Sequence, residues 1–394
     1  MAIGMNQSNL NILHLRSGFE DNGPGSQSLT IATELRRRGH QVEFAAGGGV
    51  MSKKIIEAGF GYTEMPHLAR TRRTPLNFVK AVLSLRRLIS HNGIDIIHAH
   101  NAATALTAYI AQLFVTKRVR VLHSVRGIEL RPDLRYRWRN WIYRMYPPHI
   151  FAVSQFTKRE LIKIGARSKD ITVTYNGVDL EKFNMTRISS SDIREEFNIP
   201  AENIVLGHVG AMSTNTKGQH ILIQAFSDLL ETHKNITLVI VGDGKCLSEF
   251  KELATSLGVS DHVIFTGRRF DIPKLQAAFD IFCLTSIWGE MFPNAILEAM
   301  AMGNPWVGSA ISGLPELTVD GRGGIVVPPG DVPALRSALE SLIISKSKRV
   351  QMGRACYEDV SSRLTIEKVV DTVEQQYFFQ LDLGKNYRRL SDRR

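Results

Sequence analysis

Glu290 and Glu298 stand with seven residues between them in W-G-E-M-F-P-N-A-I-L-E-A-M-A-M-G-N-P-W-V-G-S-A-I-S-G-L-P-E, Trp288 to Glu316. The first glutamate falls in a Gly/Pro-containing loop and the second in a helix-forming run, Ala295 to Met302. A loop that opens a helix presents backbone N–H groups without intrahelical partners, together with the positive end of the helix dipole. Both suit phosphate, and the segment Met291, Phe292, Pro293 and Asn294 forms that opening. Glu298 lies about two turns further in, where a carboxylate accepts hydrogen bonds from a ribose. Two glutamates at this spacing also occur in any acidic helix, so the pair takes its meaning from its setting. That setting suits a nucleotide-sugar diphosphate.

A cation for the same diphosphate is available upstream. The expected strand Ile204–Val209 runs into G-A-M-S-T-N-T-K-G, residues 210–218. Gly210 and Gly218 let the backbone approach a ligand closely, and Lys217 can set an ammonium against it; a solvated loop lysine is the plain alternative. The turn V-I-V-G-D-G, 239–244, is weak evidence by itself. Gly23-Pro24-Gly25-Ser26 reads as a loop before the first helix, with glycines that stop short of a dinucleotide fingerprint. No Walker A sequence occurs, and these absences argue against NAD and ATP as the primary ligand. His98 and His100 end one expected strand and Arg126 follows another. An arginine cannot act as a general base at neutral pH, so its role would be contact with an anion. For the histidines, structural hydrogen bonding and a functional role are equally open.

The order E-x-F-P-x-x-x-x-E-A-M-A-x-G-x-P followed by G-x-P-E resembles glycosyltransferase family 4, retaining enzymes of the GT-B fold with an E-x7-E signature. The resemblance extends, with gaps, over nearly the whole chain. It implies an α/β architecture of two facing Rossmann-like domains with parallel sheets and a cleft between them. It implies that Glu290 holds sugar hydroxyls and that Lys217 stabilises the leaving diphosphate, with the departing phosphate as base on the front face. Residues 210–218 look like the family's G-R-x-x-x-x-K-G loop, except that Ala211 stands at the arginine's position and the loop is one residue longer. Arg268, or Arg269 beside it, is the substitute cation considered. Gly23 and Gly25 resemble the family's glycine-rich loop over the diphosphate, and Arg126 stands where many members carry a histidine that contacts the donor sugar. No D-x-D dyad precedes a plausible donor loop, so no cofactor or metal is expected.

The elements that must hold these residues alternate. Asn11–Leu15, Gln41–Ala45, Ile94–His98, Val119–Ser124 and His149–Val153 read as strands with helices between them. A second series runs through Ile204–Val209, Thr237–Val241, His262–Thr266, Ile281–Thr285, Trp306–Ser309 and Gly324–Val327. Alternation of this kind implies parallel strands with crossover helices. The expected division is an acceptor-binding domain over 1–183 and a donor-binding domain over 184–365. An amphipathic helix then begins at 366, and by the resemblance it crosses back to the first domain within 366–394.

The chain has 394 residues, 43% of them hydrophobic and 22% charged, as in a globular protein. Neither a signal peptide nor a membrane span is legible, and Cys246, Cys283 and Cys356 are too few for a disulfide framework. A cytoplasmic protein is the expectation. Its net charge of +11 is uneven. Residues 1–183 hold 27 Lys and Arg against 13 Asp and Glu, and the remainder 22 against 25. The basic residues gather at Arg70–Arg73, which includes Arg72 and Arg73, at Lys117–Arg120, and over 131–144. Drawn as a helix, 131–144 sets Trp138 and Trp141 on one face with Arg135 and Arg139 flanking it. That pattern suits either an anionic membrane interface or ordinary packing into the core.

The expected activity is transfer of a sugar from a nucleotide-sugar to a lipid-linked or anionic glycan, in lipopolysaccharide or other envelope polysaccharide synthesis, peripherally at the membrane's inner face. Alternatives are a soluble transferase acting on a small phosphorylated acceptor, and a non-catalytic membrane or nucleic-acid binder. Without an RNA-binding signature, nucleic acid is the weakest partner and is not expected.

Overall fold

The computed structural model describes residues 9–20, 23–72, 74–127, 149–318 and 320–391. The chain divides into two compact units, one of residues 1–175 with 366–394, the other of residues 176–365. The switch falls ahead of the expected boundary at 183. Asn176 to Phe183 belong to the second unit because Val178 bridges to Thr365 and donates its N–H to the Leu364 carbonyl at 2.9 Å.

The first unit holds a seven-stranded sheet in the order β3-β2-β1-β4-β5-β6-β7. Its strands are β1 Asn11–Arg16, β2 Gln41–Ala46, β3 Gly61–Glu64, β4 Ile96–Ala99, β5 Arg120–Val125, β6 His149–Ala152 and β7 Ile171–Val173. The second unit holds a six-stranded sheet in the order β10-β9-β8-β11-β12-β13. These strands are β8 Ile204–Val209, β9 Ile236–Val241, β10 Val263–Gly267, β11 Ile281–Leu284, β12 Trp306–Ser309 and β13 Gly324–Val327. Every pairing between them is parallel. Strands covered on both faces need apolar residues in succession, and Ile236–Val241 is buried throughout. In each sheet the order reverses once, between β1 and β4 and between β8 and β11. Ligands of open parallel sheets bind at such points, beyond the carboxyl ends of the strands.

Two helices differ from the sequence reading in ways that bear on function. The first begins at Gly23, inside the expected loop, and runs to Arg37, so Gly23, Pro24 and Gly25 form its first turn. First-turn residues need no N–H bond within the helix, so a proline is tolerated there. The Ser28 hydroxyl donates back to the Pro24 carbonyl at 2.9 Å. The last helix, Ile366–Ser391, sends Ile366, Val370, Val373 and Tyr377 into the core of the first unit. Arg38 binds Asp371 at 2.7 Å and Glu374 at 2.8 Å, and His40 Nε2 reaches Glu374 at 2.7 Å. Among the described residues, no helix is long and apolar enough to cross a membrane.

Tyr377 is fully buried and its hydroxyl lies 2.6 Å from Nδ1 of His98. Tyr377→Ala is expected to cost the first unit about 3–5 kcal/mol, read as a lower urea midpoint for that unit's transition.

Candidate active site

The second unit's site grows from the adjoining carboxyl ends of β8 and β11. After β8 the Gly210 N–H donates to the Val241 carbonyl at 2.9 Å. Met212 donates to the Asp243 carbonyl at 2.9 Å and accepts from the Cys246 N–H at 2.9 Å, which clamps the turns after β8 and β9 together. A single 3-10 turn, Asn215–Lys217, then leads to Gly218 in the left-handed conformation with φ 69°. Here glycine is obligatory, since a Cβ would sit 2.0 Å from the carbonyl oxygen of Thr285. Thr285 Oγ1 donates to the Gly218 carbonyl at 2.8 Å. The Lys217 backbone is therefore pressed onto the end of β11.

This contact aims the lysine. Its Nζ is ion-paired with Oε1 of Glu290, and the Ser286 hydroxyl donates to the same oxygen at 2.8 Å. Glu290 is buried, at 5% exposed. Both of its bonds fall on one oxygen, so Oε2 has no partner among the described residues. The Glu290 carbonyl accepts from the Gly313 N–H at 3.3 Å, which ties the G-L-P-E turn to the same point. Beyond it, Met291 and Phe292 are buried, and Asn176 Nδ2 donates to the Phe292 carbonyl at 2.6 Å. The helix Asn294–Ala301 follows with Pro293 at its N-cap, and no side chain caps it. The lysine from the loop after β8 thus meets a pinned carboxylate that lies just ahead of a helix N-terminus.

Glu298 sits inside that helix. Part of it stays accessible, but the protein packed around its carboxyl raises its pKa to about 7, against a smaller lowering by Lys182. His208 on β8 is fully buried, and its Nδ1 lies 3.0 Å from the Cys283 carbonyl, so Nδ1 carries the proton. Burial holds the imidazole down to about 4 and hence neutral. Its Nε2 has no hydrogen-bond partner among the described residues and lies 3.0 Å from where a Gly210 Cβ would be.

In the first unit, His14, His98 and His100 gather their ring nitrogens within 4.8 Å of one another. The grouping has the spacing of a metal site, but both ring nitrogens of His98 already meet hydroxyls. Nδ1 of His98 meets the Tyr377 hydroxyl and Nε2 the Ser124 hydroxyl, each at 2.6 Å. His14 Nδ1 and His100 Nε2 are 3.0 Å apart. Burial and the nearby positive charge of Arg126 hold His14 down to about 3. Burial and neighbouring charges hold His98 and His100 well below the ordinary range. Arg16 is lowered to about 10 by burial and by Arg70, and Arg126 to about 10 by burial and by Arg16. Nη1 of Arg16 is buried without a hydrogen-bond partner among the described residues. The guanidiniums of Arg16 and Arg126 thus place positive charge beside the three rings.

Not every expected site residue joins these groups. Arg268 follows β10, two strands from β8, and lies exposed with its guanidinium 5.4 Å from the Phe270 ring. Arg269 is engaged by Glu196 and Asp271. The structure therefore brings neither arginine to Lys217, and Ala211 stands exposed where a second cation was sought. Arg72 is exposed in the turn Arg70–Arg72. Arg73, Arg135, Trp138, Arg139 and Trp141 lie outside the described residues. Sequence reasoning missed Thr285, Ser286, Asn176 and His208. The Thr-Ser pair just after an apolar strand and just before G-E was the available signal.

Two family profiles match the chain: Glycosyltransferase Family 4 over residues 22–182 and Glycosyl transferases group 1 over residues 189–359. The chain belongs to these glycosyltransferases. It is 25% identical to N-acetyl-alpha-D-glucosaminyl L-malate synthase of Bacillus anthracis over 92% of this chain and 96% of that one. It is 27% identical to the UDP-Gal:alpha-D-GlcNAc-diphosphoundecaprenol alpha-1,3-galactosyltransferase of Escherichia coli, over 76% and 79% respectively. The fold matches that of Anabaena HepE, solved with UDP-glucose, with a TM-score of 0.79 and 24% identity over 93% of this chain and 99% of that one. The transferase is thus an enzyme of the GT-B fold, with one Rossmann-like sheet in each unit.

The raised pKa of Glu298 has a consequence for stability. A carboxyl that titrates near 7 when folded and near 4.5 when unfolded contributes stability fully below the unfolded value. That contribution is lost as pH rises through the folded one. Glu298→Gln is therefore expected to gain stability relative to the parent at alkaline pH, by at most ~3 kcal/mol, and to gain none in acid. Urea titrations of both proteins across this range check it.

Proposed function

We propose that the protein transfers a sugar, with retention of anomeric configuration, from a nucleotide-sugar to a glycan or lipid-linked acceptor carrying anionic groups. Lipopolysaccharide or another envelope polysaccharide is the proposed product class, and the cytoplasmic face of an anionic membrane the proposed place of work. One observation carries the reading: Lys217, Ser286 and Glu290 converge beside the opening of the helix Asn294–Ala301.

The proposed chemistry follows from these groups. The bond from the anomeric carbon to the diphosphate breaks, and the acceptor oxygen bonds to that carbon on the same face. The acceptor's proton passes to the departing phosphate. Charge builds on the diphosphate as it leaves, and Lys217 with the helix N-terminus stabilises it without reorganising. Glu290, held through Oε1, offers Oε2 to sugar hydroxyls and fixes the anomeric carbon. Glu298 accepts from the ribose in its charged form. These cationic and dipolar groups replace a metal, so no resident ion is proposed. The relatives support a nucleotide-sugar donor: one is named for UDP-Gal and another was solved with UDP-glucose. The enclosed Arg16 and Arg126 of the first unit support a phosphate or carboxylate on the acceptor, as does a relative named for L-malate.

A second reading, a soluble transferase on a small anionic acceptor, draws on the same two arginines and is separated from the first by offering soluble and lipid-linked acceptors in parallel. Lys217→Ala and Glu290→Gln are each expected to lower transfer by about 100-fold or more, measured by nucleoside diphosphate release, with the parent rate unchanged in chelator. Retention of rate by both variants would remove the site assignment. The product is expected to keep the donor's anomeric configuration by NMR coupling constants, and inversion would overturn the front-face pathway.

A further inference from the structure

The helix Pro75–Asn92 is sharply bounded. Thr74 caps it by accepting the Asn77 N–H on its side chain, Pro75 occupies the first turn, and Gly93 closes it in the left-handed conformation. Its inner side packs Ala81, Val82, Leu85 and Ile89 into the core against β1 and β4, with Ala108 and Ala111 of the neighbouring helix Ala102–Gln112. Its outer side is not polar, as the solvent face of a helix usually is. Leu76, Val79 and Leu83 are 63%, 52% and 48% exposed. At about 100° per residue they fall within roughly 60° of one another. On the same projection Lys80 and Arg87 flank this stripe on one side and Arg86 on the other. Two further apolar side chains, Leu113 and Phe114, stand exposed at the end of the neighbouring helix. Arg86 Nε donates to the Phe114 carbonyl at 2.9 Å, which joins the two exposed patches.

Charge decides what such a face meets. Residues 66–118 contain eight Lys and Arg and a single acid, Asp95. That acid is already held by Lys117 at 2.8 Å. A second copy of this chain would bring like charge against like charge. Nucleic acid would meet the cations but leave three aliphatic side chains with no apolar partner. An anionic bilayer satisfies both features, since aliphatic groups enter the acyl boundary while ammonium and guanidinium groups stay at the lipid phosphates.

We propose that the outer face of the helix Pro75–Asn92, extended by Leu113 and Phe114, is a membrane-docking surface for anionic phospholipid. The inference deepens the proposed work at a membrane by assigning it a place, and it does not depend on residues 131–144. A transferase seated on this face would hold the first unit at the headgroup plane, where a lipid-linked acceptor is confined.

The test is flotation of the full-length protein with vesicles of phosphatidylglycerol and phosphatidylcholine, and with phosphatidylcholine alone. The parent is expected to float with the first and not the second, and to be released by salt. Leu76→Ser/Val79→Ser/Leu83→Ser and, separately, Lys80→Glu/Arg87→Glu are each expected to weaken binding on the order of tenfold or more. Because these side chains are exposed, both variants should keep the parent's thermal transition and its nucleoside diphosphate release from a water-soluble acceptor. Those two readings test the catalytic assignment separately from the docking surface. Equal flotation of parent and variants would overturn the proposal. So would failure of the parent to float, or sedimentation showing a self-association that the serine variant abolishes.

Discussion

A buried carboxylate must be neutralised, and in the second unit that requirement falls on a single lysine. Glu290 lies among apolar neighbours with Lys217 and Ser286 on one of its oxygens. An uncompensated charge there would cost several kcal/mol, so the position of the lysine constrains everything around it. Gly218 must adopt a left-handed conformation against the Thr285 carbonyl, and the turns after β8 and β9 must be locked by Gly210, Met212 and Asp243. The Asn176 side chain must tether the Phe292 carbonyl for the following helix to open where it does. In the proposed reaction the same ion pair keeps the ammonium close to where diphosphate charge would develop.

The two units handle charge differently. In the second, Lys217 is matched to Glu290, and the partly buried Arg269 to Glu196 and Asp271. In the first, the carboxyl ends of β1, β4 and β5 collect His14, Arg16, His98, His100 and Arg126, with the histidines kept neutral by burial. Burial and mutual repulsion lower Arg16 and Arg126 there. The outer surface of the same unit carries the excess further, through Arg72, Lys80, Arg86, Arg87 and Lys117. A charge imbalance of this size says little about the fold, but it does favour anionic partners.

Much of the architecture was legible because parallel strands buried on both faces are written as apolar runs. β8, β9 and β11 to β13 fall within about a residue of where periodicity places them. The short strands β3 and β7 carry no such run and were not readable. The first helix was misplaced because Gly-Pro-Gly reads as a loop in isolation. A first turn needs no N–H partners, so the segment can be helical, and there the Ser28 hydroxyl bonds the Pro24 carbonyl. At the site, Glu290, Lys217 and Gly218 were readable from spacing. Ser286 and Asn176 were not, because hydroxyl and amide side chains are common after strands and in turns. Their roles appear only when distant segments meet.

The sequence by itself determined the residue types that can do the chemistry: two carboxylates at E-x7-E spacing, a lysine before a glycine, and a basic first half. It also determined the alternation that builds two parallel sheets, since that information is local and repeats with the period of each element. Only the tertiary structure decided whether a second cation joins Lys217. Arg268 or Arg269 was the substitute offered along the chain for the arginine that Ala211 replaces, but the strand order puts β10 two places from β8 and Arg269 is held by Glu196 and Asp271. It likewise decided that the apolar stripe of the helix Pro75–Asn92 faces outward, because a helix buries whichever side its sheet can cover and periodicity alone does not say which.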